Sequence, residues 1–232
     1  MKILFACDLD NTLIHSYKKR RADDVCIEHY EGREQSFTSP RVLDLLKKIS
    51  EQILFVPVTT RSIAQYRRIF WTENFSPKFA VVANGAFVLD GERQENFLRE
   101  FVTPYKEELK IQLEATDKNI FTTRKIVDES FLFLKCRDDI DAEKISFDTN
   151  LIVQHFGQKI YLFPPKLNKG EAVKLLIKKF SAEKIIAAGD SEIDLPMLEL
   201  ADVAFAPKNL CKKNFVAFSS AEEFLQRVEK IF

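Results

Sequence analysis

At 232 residues, with 46% hydrophobic side chains and 21 phenylalanines, the chain can bury one sizeable core, or a core with a smaller inserted domain. Its 35 Lys+Arg balance 35 Asp+Glu, and zero net charge offers no support for general nucleic-acid binding or for an anionic-membrane partner. No apolar run approaches the roughly 20 residues that span a bilayer, and MKILFACD turns acidic too soon for a signal peptide.

The first element is an apolar strand, Ile3 to Ala6, which runs into Asp8 and Asp10 and then into the turn residues Asn11 and Thr12. The short basic cluster Lys18 to Arg21 reads as a solvated loop. A small hairpin is expected about Glu31-Gly32, flanked by β-rich segments. Ser39-Pro40 is a helix start, followed by Val42, Leu45, Leu46 and Ile49 on one face. A strand over 53–58 ends in Thr59-Thr60-Arg61, and Ser62 with Gln65 has capping-box spacing for a helix to about Phe75. The strand 78–83 leads through Asn84-Gly85 into a second strand, a hairpin signal.

From Phe87 to Pro164 the texture changes. A charged helix from Thr103-Pro104 to about Ala115 precedes strands near 119–127 and 130–135. A helix near 141–147 is then expected, followed by the runs LIVQHF and KIYLF. Beyond Pro164-Pro165 come a helix over 170–180, the strand KIIAAGD and a helix over Glu192–Leu200. Two short strands and a last helix capped by Ser220 and Glu223 complete the chain. The pattern predicts an α/β fold: a Rossmann-like, mostly parallel core of 1–86 and 165–232, with an inserted α+β cap of 87–164. Four scattered cysteines, Cys7, Cys26, Cys136 and Cys211, form no disulfide framework or metal spacing, so a cytoplasmic protein is expected.

Polar stations stand just after apolar strands or at helix starts: Asp8/Asp10, Thr59, Lys169 and Asp190/Asp194. In a parallel sheet, residues 8, 59 and 190 converge on the carboxyl edge, where such sheets bind ligands. Asp8 and Asp10 so close together repel unless a cation stands between them. With Asp190 and Asp194 they form an all-oxygen set without His or Cys, which suits Mg²⁺. Asp194 could equally stabilise a helix amino terminus. Lys169 stands at a helix end whose dipole disfavours cations, which makes sense if it faces an anion; Lys166 competes for that role.

The set DLDNTL (8–13), VTTR around Thr59, NKGEAV around Lys169 and GDSEID (189–194) resembles the four ordered motifs of the haloacid dehalogenase superfamily. The insertion after Asn84-Gly85 resembles the branch with an α/β cap, which includes Cof-type sugar phosphatases, sucrose-phosphate phosphatases and phosphomannomutases. The resemblance implies Asp8 as nucleophile and Asp10 as acid and base. It also implies Mg²⁺ held by Asp8, the Asp10 carbonyl and Asp190, with Asp194 near or behind. Thr59 and Lys169 would orient the phosphoryl group, and Asn84 and Gly85 would lie on the substrate side. Thr60 stands where relatives often have Gly, and Ile193 where many have Asn. The implied substrate is a small phosphorylated metabolite, with a sugar phosphate favoured, and the implied state a monomer or small homo-oligomer. Two alternatives share the pattern: a phosphotransferase or phosphosugar mutase, and a weakly active phospho-ligand-binding regulator.

Overall fold

The computed structural model describes residues 1–73 and 75–232. Strand β1 (Ile3–Cys7) is buried at every position, as a central strand covered on both faces must be. After the two-residue β2 (His15–Ser16), β3 (Val25–Tyr30) and β4 (Arg33–Thr38) form the expected hairpin. Its turn residues Glu31 and Gly32 both take positive φ (51° and 74°), which matches the twist of paired strands. Helix α1 (Pro40–Gln52) starts where Ser39 accepts a hydrogen bond from the Val42 N–H, and buries Val42, Leu45, Leu46 and Ile49.

Past β5 (Leu54–Pro57), the Ser62/Gln65 capping box opens α2 (Ile63–Arg67). This helix ends well before the expected Phe75. The Phe70 N–H donates instead to the Ile27 carbonyl, and Ile69 bridges to Glu28, so the chain leaves the helix to pair with β3. Trp71 and Phe75 turn inward with their rings 5.7 Å apart. Asn74, inside the expected helix, lies outside the described residues. Strands β6 (Phe79–Val82), β7 (Phe87–Asp90) and β8 (Arg93–Asn96) form a meander in which Val82 pairs with Phe87 across the Asn84-Gly85 loop. Gly85 sits at φ 111°, and a Cβ there would stand 2.7 Å from Leu98 Cδ1.

Helices α3 (Arg99–Val102) and α4 (Lys106–Ala115) lead to a second sheet of β9 (Phe121–Val127), β10 (Phe131–Cys136), β11 (Ile152–Phe156) and β12 (Lys159–Phe163). The helix expected near 141–147 is only the single turn Ala142–Lys144. Beyond it, Gln112 and Glu108 of α4 hold the Asp148 carbonyl and the Thr149 hydroxyl, which ties the segment to α4 as a loop. Helix α5 (Lys169–Phe180) and β13 (Lys184–Ala188) follow as expected. The expected helix over 192–200 is two pieces, a turn Glu192–Asp194 and α6 (Leu195–Leu198). Then come β14 (Val203–Pro207), β15 (Phe215–Phe218) and α7 (Ala221–Val228), whose Ser220 cap accepts from the Glu223 N–H.

The central sheet runs β15-β14-β13-β1-β5, parallel throughout. A parallel bridge from Val58 to Val81 sets the β6-β7-β8 sheet beside β5. Strands of the 87–164 segment are therefore divided, with β7 and β8 beside the central sheet and β9 to β12 in an antiparallel sheet of order β11-β12-β10-β9. Parallel strands bring the residues after β1, β5 and β13 to one edge. Among the described residues, no helix is long and apolar enough to cross a membrane.

Candidate active site

Asp8 follows β1 directly, is 5% exposed, and donates its N–H to the Ala188 carbonyl of β13. The Leu9 carbonyl collects the N–H groups of Thr12, Leu13 and Ile14, curling the chain back on itself. Asn11, a residue type that tolerates the left-handed region, takes φ 64° in this curl. Thr12 thereby returns to the site, its hydroxyl 3.3 Å from Asp8 Oδ2 and 3.4 Å from Asp190 Oδ1. Carboxylate oxygens of Asp8, Asp190 and Asp194 lie within 4.8 Å of one another, a group that could hold a metal ion.

Lys169 is buried behind them. Asn168 caps α5 by accepting from the Glu171 N–H, and the first residue of the helix points Nζ at Asp8 Oδ1 and at Asp194 Oδ1, the latter 2.6 Å away. Asp194 Oδ2 accepts the Asp190 N–H, the Ser191 N–H and the Ser191 hydroxyl, each at 3.0 Å. Both Asp194 oxygens are thus engaged. Gly189 permits this approach, since a Cβ there would overlap the Asp194 side chain.

Burial alone would push the Lys169 ammonium down, but the Asp194 and Asp8 carboxylates outweigh it and hold the group above its ordinary range. Burial pushes the Asp8 carboxyl up; Lys169 opposes that push, and Asp194, Asp190 and Asp10 add to it. Burial and the neighbouring Asp194 charge push Asp190 up to about 6. One ammonium against several converging carboxylates leaves an excess of negative charge that a divalent cation would offset.

A second network was not legible in the sequence. Arg61 grips Asp10 with two parallel hydrogen bonds, Nε to Oδ2 and Nη2 to Oδ1, both 2.8 Å. Its Nη1 donates to Glu28 Oε2 at 2.8 Å, and Glu28, 2% exposed on β3, also pairs with Arg68 and accepts from the Ser36 hydroxyl. Partial burial raises the Asp10 carboxyl, but the Arg61 charge and hydrogen bonds more than reverse this and hold it below the usual carboxylate range. Glu28 is held low in the same way, with burial outweighed first by Arg61. The Arg61→Gln variant should let the Asp10 carboxyl rise toward the ordinary carboxylate range, a shift that an NMR titration of the Asp10 side chain would read. An unmoved titration would show that Arg61 does not hold it down.

Thr59 is fully buried, and its hydroxyl accepts the Arg61 N–H at 3.1 Å, while Thr60 lines the cleft. Asn84 and Gly85 are buried behind the site and not among the residues of the cleft wall. Asn84 Nδ2 donates to the Leu167 carbonyl in the loop before Lys169. Lys166 lies over the Phe101 ring. The cleft, about 290 Å³, is walled by Asp8, Asp10, Lys169 and Asp190 on one side, and by Lys125, Phe133, Lys159 and Tyr161 of the antiparallel sheet on another. The sequence offered no reason to single out these last four residues, because strand alternation alone does not say which face meets the core.

The haloacid dehalogenase-like hydrolase family profile matches residues 92–213, just over half of the chain. No curated protein matches significantly. Among solved structures, the sucrose-phosphatase from Synechocystis sp. PCC6803, in complex with sucrose and phosphate, superposes with a TM-score of 0.65 at 14% identity. That alignment covers 99% of this chain and 98% of that one. The Aspergillus fumigatus trehalose-6-phosphate phosphatase gives 0.58 at 14% identity, with 99% and 93% covered. The haloalkanoate-superfamily phosphatase BT1666 from Bacteroides thetaiotaomicron gives 0.61 at 17%, with 100% and 96% covered. At such identities the likeness is one of fold.

Proposed function

The chain belongs to the haloacid dehalogenase-like hydrolase family, and on that footing we propose that it is a Mg²⁺-dependent phosphatase hydrolysing a small phosphomonoester through an aspartyl-phosphate on Asp8. One observation carries the reading: Asp8, at the end of the central strand, touches buried Lys169 and shares its surroundings with Asp190. A sugar phosphate fits the names of the structural neighbours, a sucrose-phosphatase and a trehalose-6-phosphate phosphatase.

In the proposed reaction an Asp8 oxygen attacks phosphorus and the bond from phosphorus to the leaving alcohol breaks. Asp10 donates a proton to the departing oxygen, then takes one from the water that cleaves the acyl phosphate. The Arg61 pair favours ionised Asp10, which suits it to the base half of that cycle; its acid half requires this pair to loosen as substrate enters. Lys169 neutralises the phosphoryl oxygens; Thr59, buried with its hydroxyl accepting the Arg61 N–H, orients them only through the loop it holds. Asp194 holds Lys169 and the 190–191 backbone in place, and Asn84 steadies the Lys169 loop.

The donor set fits a hard divalent cation: carboxylates of Asp8 and Asp190, together with the Asp10 main-chain carbonyl, are oxygens without a competing His or Cys. Asp194 stands behind this set, since its oxygens are already bonded. Mg²⁺ bound there would offset charge on the phosphoryl oxygens and on the carboxylates. We take 1–86 and 165–232 as the catalytic core and 87–164 as the inserted segment, in which β7 and β8 stay beside the core sheet and β9 to β12 form the cap over the cleft.

The test is phosphate release from an aryl phosphate with Mg²⁺ and after chelation. Activity should vanish with EDTA and return on adding excess Mg²⁺. Turnover that persists in EDTA would sink the metal-dependent reading.

A further inference from the structure

Up to a bulge between Lys135 and Cys136, the antiparallel sheet alternates its two faces. Residues 124, 126, 132, 134, 160 and 162 face away from the cleft, toward α4, where Arg124 bonds Thr116 and the Leu113 carbonyl at the end of that helix. The other face is the one that walls the cleft. Cross-strand register puts Lys125, Phe133 and Tyr161 in one row, because Phe133 pairs with both of the others. Lys159 follows two residues before Tyr161 on the same face, beside Phe156.

Aromatic rings pack along this wall, with Phe133 and Tyr161 at 5.3 Å and Tyr161 stacked on Phe163 at 5.6 Å. Lys125 Nζ lies 5.8 Å from the Phe133 ring centre. Among the described residues neither Lys125 nor Lys159 has a carboxylate within ion-pair distance, whereas Lys169, Arg61 and Arg68 all do. Both lysines are exposed in the open cleft. No Asp or Glu of the sheet lines the cleft. Such a wall disfavours a purely neutral leaving group less than it favours one with a charge to offer the ammonium groups.

We infer that the leaving group of the substrate carries a second anion, a carboxylate or a second phosphate, held by Lys125 and Lys159 over the Phe133–Tyr161 surface. This deepens the phosphatase reading and rests on it. The anion sits on the alcohol half of the ester, so it departs with the product and takes no part in the bond that breaks. Lys125 and Lys159 are then binding residues for the leaving group, separate from the group that contacts the transferred phosphoryl.

The experiment compares three six-carbon phosphomonoesters with a neutral aryl phosphate as the control: glucose 6-phosphate, 6-phosphogluconate and fructose 1,6-bisphosphate. The wild type should favour at least one acid-bearing ester over glucose 6-phosphate in kcat/KM, and which one distinguishes carboxylate from phosphate. Lys125→Met and Lys159→Met should each raise KM for that ester about 10- to 100-fold, the range of a charge-assisted hydrogen bond, with a much smaller change for glucose 6-phosphate. Calorimetric binding of the same three esters to Asp8→Asn gives the preference without turnover. If the aryl phosphate is hydrolysed but the acid-bearing esters show no advantage, the inference falls and the phosphatase reading stands. Equal losses on every substrate in the lysine variants would assign the lysines to the transferred phosphoryl and also overturn it. If nothing is hydrolysed, the phosphatase reading falls, and the calorimetric preference alone decides the anion subsite.

Discussion

Asp8→Asn is expected to lower kcat for phosphate release by about four orders of magnitude or more, the scale seen when an enzyme loses its nucleophile. The amide is nearly isosteric with the carboxylate, so the position at the end of β1 and its N–H bond to Ala188 should be kept. The amide oxygen can still accept from Lys169, but it is a poor nucleophile toward phosphorus. The substitution also removes one of the carboxylates crowded beside Asp190 and Asp194. Thermal stability should therefore hold near the wild-type value or rise, and inactivity could not be blamed on unfolding. A variant that is folded and retains a tenth of wild-type activity would remove Asp8 from the chemistry.

Lys169→Met should act on stability as strongly as on rate. Lys169 is 1% exposed and its two partners are themselves buried, so the neutral side chain leaves Asp8 and Asp194 facing each other without a countercharge. Breaking a buried pair from one side typically costs about 3–5 kcal/mol, which a urea midpoint would read directly. Adding Asp194→Asn to Lys169→Met should return part of that loss, because the stranded charge is then gone. The double-mutant cycle would expose the coupling. A surface lysine would instead show a change within about 0.5 kcal/mol. Activity is expected to be lost in both the single and the double variant, since neither supplies a cation for the phosphoryl group.

What could be read in the chain follows from how local each signal is. Ser39 accepts the Val42 N–H, and Ser62 and Gln65 each accept the other's N–H, all within three residues, so a helix start is written where it happens. The run of buried residues in β1 and the pair Asp8/Asp10 just beyond it likewise need only the knowledge that parallel strands share an edge. The same reasoning singled out Thr59, Lys169 and Asp190; the last two line the cleft, and Thr59 is buried beneath it. It overextended α2, because the length of that helix is decided by Ile27 and Glu28, far away in sequence, taking the backbone of residues 69–70. It also placed a helix near residue 145, just before a loop that side chains of α4 hold at Asp148 and Thr149.

By itself, then, the sequence determined the alternation of strands and helices, their caps, and the chemical types that gather at the carboxyl edge, since each depends on neighbours in the chain. Only the tertiary structure decided how those types divide their work. It gave Arg61 to Asp10 and Glu28, filled both oxygens of Asp194, drew Asn84 behind the Lys169 loop, and turned Lys125 and Lys159 toward the cleft. Each of these rests on contacts between segments far apart in sequence. A hydrogen-bonding group takes whichever partner the folded backbone brings within about 3 Å, and residue spacing along the chain carries no record of that choice.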